Sequence, residues 1–110
     1  MNWIITIPKT ISWEIYQKEL NSVKNGNLVL NYRVPYKPKI KIGDRIYITW
    51  NGKVRGWMAC VGVAYLPDGF TCTTAGAYWK PGYYVQRSGE FNKITEDIGY
   101  KGFQGIRRYY

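Results

Sequence analysis

The chain has 110 residues, 16 of them Lys or Arg and 7 Asp or Glu, for a formal net charge of +9 with no histidine. That length fits one domain, residues 1–110, and the 45% hydrophobic content with 11 Tyr, 5 Trp and 3 Phe argues for a packed core over disorder. The missing histidine excludes a His-based triad, an imidazole acid–base catalyst and a His metal ligand; two cysteines do not complete a zinc site, so no metal and no cofactor are expected.

The opening MNWIITIPKT lacks the basic region and small-residue cleavage site of a signal peptide. The longest apolar run, Trp57 to Leu66, is too short to span a bilayer. The expectation is a cytoplasmic protein with no membrane partner. Residues 2–8 are β-branched and aromatic up to Pro8 and predict a first strand. Ile11, Ile15, Leu20 and Val23, with Tyr16, recur near helical spacing; Ser12 is placed to cap that helix and Gly26 to end it. Leu28, Leu30 and Tyr32 alternate with polar residues until Pro35 and Pro38, so 31–39 reads as an ordered loop or an edge. Ile40 and Ile42 then alternate with lysines up to a Gly43-Asp44 turn.

The clearest element is a hairpin: Arg45–Trp50, the pair Asn51-Gly52, then Lys53–Tyr65. Asn-Gly is the preferred pair for a two-residue type I′ turn. The long, nearly continuous apolar second arm predicts a central buried strand. Pro67-Asp68-Gly69 marks a further turn, and Phe70–Thr74, Tyr83–Gln86 and Phe103–Tyr109 are further strands. The sum is an α+β, mainly β, fold: five or six strands and one early helix in a closed or partly closed barrel. Cys60 and Cys72 read as buried free thiols, with a bridge left open.

A two-residue turn sets Trp50 opposite Lys53, Ile48 opposite Arg55 and Ile46 opposite Trp57, all on one face. Two readings follow. Trp50 and Trp57 pack the core while Lys53 and Arg55 reach to the rim, or the four sit at a barrel mouth where a base stacks and a phosphate is neutralised. Planar rings also lie beside cations or amides in Asn31-Tyr32-Arg33, in Trp79-Lys80-Pro81-Gly82-Tyr83-Tyr84 with Gln86-Arg87, and in Arg107-Arg108-Tyr109-Tyr110. Such interleaving suits a surface that stacks bases and pairs with phosphates. Asn31 and Gln86 carry carboxamides able to donate to and accept from a base edge. Catalytic residues are not indicated: Asp44 and Asp68 sit in turns, Glu14 and Glu19 on the helix, and Glu90, Glu96 and Asp97 form no pair.

Several of these features fall in a familiar order. Trp3-Ile4 with the following TIP, the segment Asn31-Tyr32-Arg33, the turn Lys41-Ile42-Gly43-Asp44 into IYITW, and Gly56 through Tyr65-Leu66-Pro67-Asp68 together resemble the EVE domain of the PUA-like superfamily. The C-terminal third is similar in style to small prophage-encoded proteins. The resemblance implies a mixed β-barrel whose concave pocket is linked to RNA or to modified DNA bases, lined by Trp3, Asn31, Tyr32, Arg33, Trp50 and Trp57. The leading expectation is a non-catalytic domain that binds nucleic acid, RNA or DNA, through Trp3, Asn31, Tyr32, Arg33, Trp50, Lys53, Arg55, Trp57, Gln86 and Arg87, reading a modified or flipped base. A module that targets an acidic host protein is the alternative. The third reading is an amidohydrolase like the related ASCH domains, whose Gly-x-Lys-x-x-Glu-x-Arg pattern this chain lacks.

Overall fold

In the computed structural model, which describes residues 1–71 and 78–109, the hairpin turn forms as its residues dictate. Backbone φ is 50° at Asn51 and 77° at Gly52, the two left-handed positions a type I′ turn requires. It joins β3 (Arg45–Trp50) to β4 (Lys53–Leu66), with Trp50 opposite Lys53. Before them come β1 (Asn2–Thr6), α1 (Trp13–Ser22) and β2 (Leu30–Val34). After them come β5 (Phe70–Thr71), β6 (Tyr78–Trp79), β7 (Gly82–Lys93) and β8 (Ile106–Arg108). Cys72, the far part of the strand expected over 70–74, and Tyr110 lie outside the described residues.

Six strands form one sheet in the order β2-β7-β4-β3-β1-β8, curled into a half-barrel, while β5 and β6 make a separate two-stranded ribbon. β1 runs parallel to β3; its other neighbour, β8, is antiparallel. The mainly β architecture with one helix matches the sequence expectation. β2 is the edge anticipated for the segment after Leu30, and β7 runs well beyond the expected Tyr83–Gln86.

Ser12 caps α1 by accepting from the Ile15 N–H at 3.2 Å. Trp13, Tyr16, Leu20 and Val23 face the sheet, whereas Ile11 and Ile15 are exposed. The helix end is docked on β7: Gly89 N–H donates to the Val23 carbonyl at 2.9 Å, and the Ser88 hydroxyl donates to the Leu28 carbonyl at 2.6 Å. The core between helix and sheet contains Ile5, Ile46, Ile48, Met58, Cys60 and Val85, all almost wholly buried.

The register of the hairpin differs from the sequence expectation. Thr49 pairs with Val54, but Ile48 pairs with Gly56, Tyr47 with Trp57 and Ile46 with Met58. Arg55 is therefore an extra residue, a β-bulge. From Gly56 to Cys60 the side chains of β4 therefore change face, so Met58 and Cys60 enter the core while Trp57 leaves it. Gly56 lies where a Cβ would strike the Phe91 ring and sit 2.5 Å from the Asn92 carbonyl oxygen. β4 is central, yet it is not buried throughout: past Cys60, its Val61, Val63 and Tyr65 are exposed.

The parallel β1–β3 pair is pinned at its start by Asp44. Its carboxylate accepts from Trp3 Nε1 at 2.9 Å, from the Lys41 N–H at 3.0 Å and from the N-terminal ammonium at 3.3 Å. Partial burial pushes this carboxyl up, but the three donors outweigh it and hold it below the usual carboxylate range. As pH falls, the unfolded chain takes up the proton first. The stability these bonds contribute is complete above the ordinary carboxylate pKa and is lost as pH falls toward the depressed folded value. Asp44→Asn is expected to lower stability by about 1–3 kcal/mol at neutral pH and to flatten its acid dependence. Urea unfolding at neutral and acidic pH measures both.

Candidate nucleic-acid interface

With one face of the sheet closed by α1, the bulge at Arg55 decides what the other face presents. Tyr47 and Trp57, directly opposite on β3 and β4, have ring centroids 6.5 Å apart. Tyr109, just past β8, lies 4.7 Å from Tyr47, and Tyr100 lies 5.8 Å from Tyr109 and 5.6 Å from Phe103. Each of these five rings is half-buried, with part of its surface open to solvent. Two exposed cations frame the row. The Arg45 guanidinium stands 4.1 Å above the Trp57 ring, and that of Arg107 stands 4.4 Å above Phe103. Burial, then the neighbouring Tyr47 and Tyr100 phenols, push the Tyr109 hydroxyl up. Its phenol stays neutral at physiological pH.

The loop between β7 and β8 holds this row in place. Thr49, buried beneath it, donates to the carbonyl oxygens of Lys53 or Tyr100, both at 3.1 Å. The Val54 N–H donates to the Ile98 carbonyl and the Tyr100 N–H to the Gly52 carbonyl, both at 2.9 Å. The loop therefore lies across the hairpin tip and projects Tyr100 and Phe103 beside Tyr109.

The residues singled out from sequence go to several places. Trp57 belongs to the row just described. Trp50 and Arg55 meet on the helix side: Trp50 Nε1 donates to the Ile11 carbonyl at 2.9 Å, and the Arg55 guanidinium lies 5.1 Å from the Trp50 ring and 5.8 Å from Trp13. Lys53 pairs with Asp97 at 3.1 Å. Trp3 is 6% exposed, and its indole N–H is held by Asp44. Asn31 pairs with Gln86 across β2 and β7, and Arg33 Nε donates to the Pro81 carbonyl at 2.8 Å.

Tyr32 and Arg87 come close inside the half-barrel. The Tyr32 hydroxyl donates to the Gly105 carbonyl at 3.2 Å, so a side chain on edge strand β2 reaches the approach to β8, the opposite edge. Burial pushes the Tyr32 phenol up, with the Arg87 guanidinium opposing. Arg87 is 3% exposed and donates to the Tyr16 hydroxyl at 2.7 Å, while its Nε has no hydrogen-bond partner among the described residues.

Sequence reasoning missed Arg45, Tyr47, Tyr100 and Phe103 as site residues. Tyr109 and Arg107 stood in a recognised basic–aromatic cluster, but nothing local showed that β8 would bring them beside β3. No group of three or more Cys, Asp or Glu among the described residues is placed to hold a metal ion. No described helix is long and apolar enough to cross a membrane. Comparison of the chain with protein-family models, curated proteins and solved structures gave no match.

The environment of Arg87 leads to a stability prediction. A guanidinium this buried, with no carboxylate against it among the described residues, loses solvation that one phenol does not restore. Arg87→Met is expected to leave stability unchanged or to raise it, whereas Tyr16→Phe lowers it by about 1–3 kcal/mol by stripping the buried cation of its acceptor. Chemical denaturation of the two variants checks this. A large loss in Arg87→Met would reveal a compensating partner for the cation.

Proposed function

We propose that this chain is a non-catalytic nucleic-acid-binding domain that engages a single strand across the outer face of its sheet. The observation that supports it is the row Trp57, Tyr47, Tyr109, Tyr100 and Phe103, half-open and framed by Arg45 and Arg107. Successive bases stack on such rings with little regard to sequence, each stack contributing about 1–3 kcal/mol, while cations beside them follow the phosphates. The net charge of +9 supplies the long-range attraction. Antiparallel sheet faces that meet water are ordinarily polar. Tyr47, Trp57 and Tyr109 on this one, joined by Tyr100 and Phe103 from the loop between β7 and β8, therefore favour a ligand with π faces.

For the fold, we infer a small PUA-like barrel of the EVE type. The curled mixed sheet, its helix after the first strand and the Gly43-Asp44 turn into β3 support that reading. Recognition of a modified or flipped base is a second reading. It has the half-buried Tyr32 and the buried Arg87 in its favour, a phenol and a guanidinium whose Nε has no hydrogen-bond partner among the described residues, both inside the half-barrel.

Oligothymidine and oligouridine titrations, followed by Trp fluorescence and repeated at two salt concentrations, test the proposal. Trp57→Ala and Tyr109→Ala should each weaken binding by about 5- to 150-fold, the equivalent of one missing stack. Joint replacement of Arg45 and Arg107 by Ala should flatten the dependence of log affinity on log salt by about 0.7 for each phosphate no longer neutralised. Affinity and salt slope indifferent to all four substitutions would remove this face from consideration. A selective gain with a 5-modified cytosine that is abolished by Tyr32→Ala would move the site into the half-barrel.

A further inference from the structure

Among the described residues, the last stretch of β4, Val61–Leu66, has a strand on one side only. β3 starts at Arg45, opposite Ala59. The bonds Gly43 N–H to the Cys60 carbonyl and Cys60 N–H to the Asp44 carbonyl, both 2.8 Å, are the last on that side. Among the described residues, Gly62 to Leu66 pair with β7 alone. Among the described residues, the one backbone bond that reaches this stretch from outside the sheet comes from the Gly69 N–H, in the turn that follows it. Proteins usually protect such an edge with charge, proline or a covering loop. Residues 61–66 read VGVAYL, with no charge and no proline. Val61 is 40% exposed, Val63 39% and Tyr65 59%.

A cleft adjoins this edge. Val63, Tyr65 and Tyr83 form one wall, with the two tyrosine rings 4.7 Å apart, and Lys37, Pro38 and Ile40 form the other, enclosing about 330 Å³. The loop that makes the second wall carries Lys37, Lys39 and Lys41, all exposed.

We propose that Val61–Leu66 accepts an extended, acidic segment of a partner protein as an additional strand. Main-chain hydrogen bonds to the open edge would hold the segment, and an apolar side chain on one face of it would enter the cleft. Acidic residues on the segment would meet Lys37, Lys39 and Lys41. A second copy of this chain is a poor occupant, because it would bring its own three lysines and a net charge of +9 against the same loop. A nucleic acid lacks the amide ladder that an open edge pairs with. This edge is distinct from the aromatic row, so the proposal stands apart from nucleic-acid binding.

The test uses the full chain, isotopically labelled, and three capped peptides. The first alternates valine with glutamate, the second alternates valine with lysine, and the third is the glutamate peptide N-methylated at every second residue. The glutamate peptide should shift the amides of residues 61–66 and slow their hydrogen exchange. It should bind at least about tenfold more tightly than the lysine peptide, a difference of about 1.4 kcal/mol. N-methylation should abolish binding by removing the donors. Joint Lys37→Glu and Lys39→Glu substitution should invert the preference between the first two peptides. The proposal is overturned if no peptide binds, if the N-methylated peptide binds as well as its parent, or if charge makes no difference. Perturbations centred on Tyr47 and Trp57, or an oligonucleotide that shifts residues 61–66, would equally overturn it.

Discussion

One added residue in β4 sorts the side chains of this protein. Were Arg55 paired in register with Ile48 instead of bulged, the two-residue turn would carry its register unbroken down the hairpin and set Trp57 facing α1 beside Ile46. With the bulge, Met58 occupies that place and Trp57 meets Tyr47 on the outer face. The bulge is stabilised where it forms. Arg55 Nε donates to the Trp50 carbonyl at 3.3 Å, and its guanidinium lies near the rings of Trp50 and Trp13. Gly56 then lets Phe91 close against the strand, and Phe91 in turn packs on Trp13. Helix position, core composition and the outer aromatic row all depend on that local count.

Closure of the half-barrel relies on polar contacts between elements far apart in sequence. Tyr32 reaches the Gly105 carbonyl from one edge of the sheet toward the other, and Arg87 and Tyr16 join β7 to the helix. Such contacts add little net free energy while they are made, yet they are costly to leave half-made in a buried region. They therefore fix the curvature more than they strengthen the fold. The apolar core supplies the driving force, and the buried Arg87 works against it. A buried guanidinium whose Nε has no hydrogen-bond partner among the described residues is the feature of the interior that packing alone does not explain.

How much of this was legible in the sequence follows from which signals are local. The Asn51-Gly52 turn could be read because both residues tolerate positive φ and few others do. The Ser12 cap and the helix after it were readable for the same kind of reason. The bulge had a weaker sign, the glycine at 56 within an otherwise β-branched and aromatic strand, since an interior strand glycine often marks a bulge or a close approach. Ile15 looked like a core residue by spacing, but Trp13 and Tyr16 bury more area and turned the helix toward themselves. The aromatic row was the least legible element. Tyr47, Tyr100 and Tyr109 are distant in sequence, and no periodicity relates them. Tyr47 and Tyr109 meet because β8 pairs with β1 and β1 lies parallel to β3, and Tyr100 joins them because the β7–β8 loop bonds to the hairpin tip.

The two surfaces differ in how they can use the charge of +9. On the outer face, Arg45 and Arg107 lie over rings, so their stems and guanidinium planes are already ordered before any ligand arrives. Little side-chain entropy remains to be lost there on binding. On the loop of residues 37–41 the lysines are exposed and alternate with Pro38 and Ile40, which are buried. Their ammonium groups are compact, strongly hydrated and mobile, which suits loose attraction to carboxylates over fixed recognition of a planar group. Ordered arginines beside aromatic rings and mobile lysines beside an unpaired strand edge are suited to different polyanions. The fold keeps them apart by placing the first on the outer face of β3, β1 and β8 and the second beside the far half of β4.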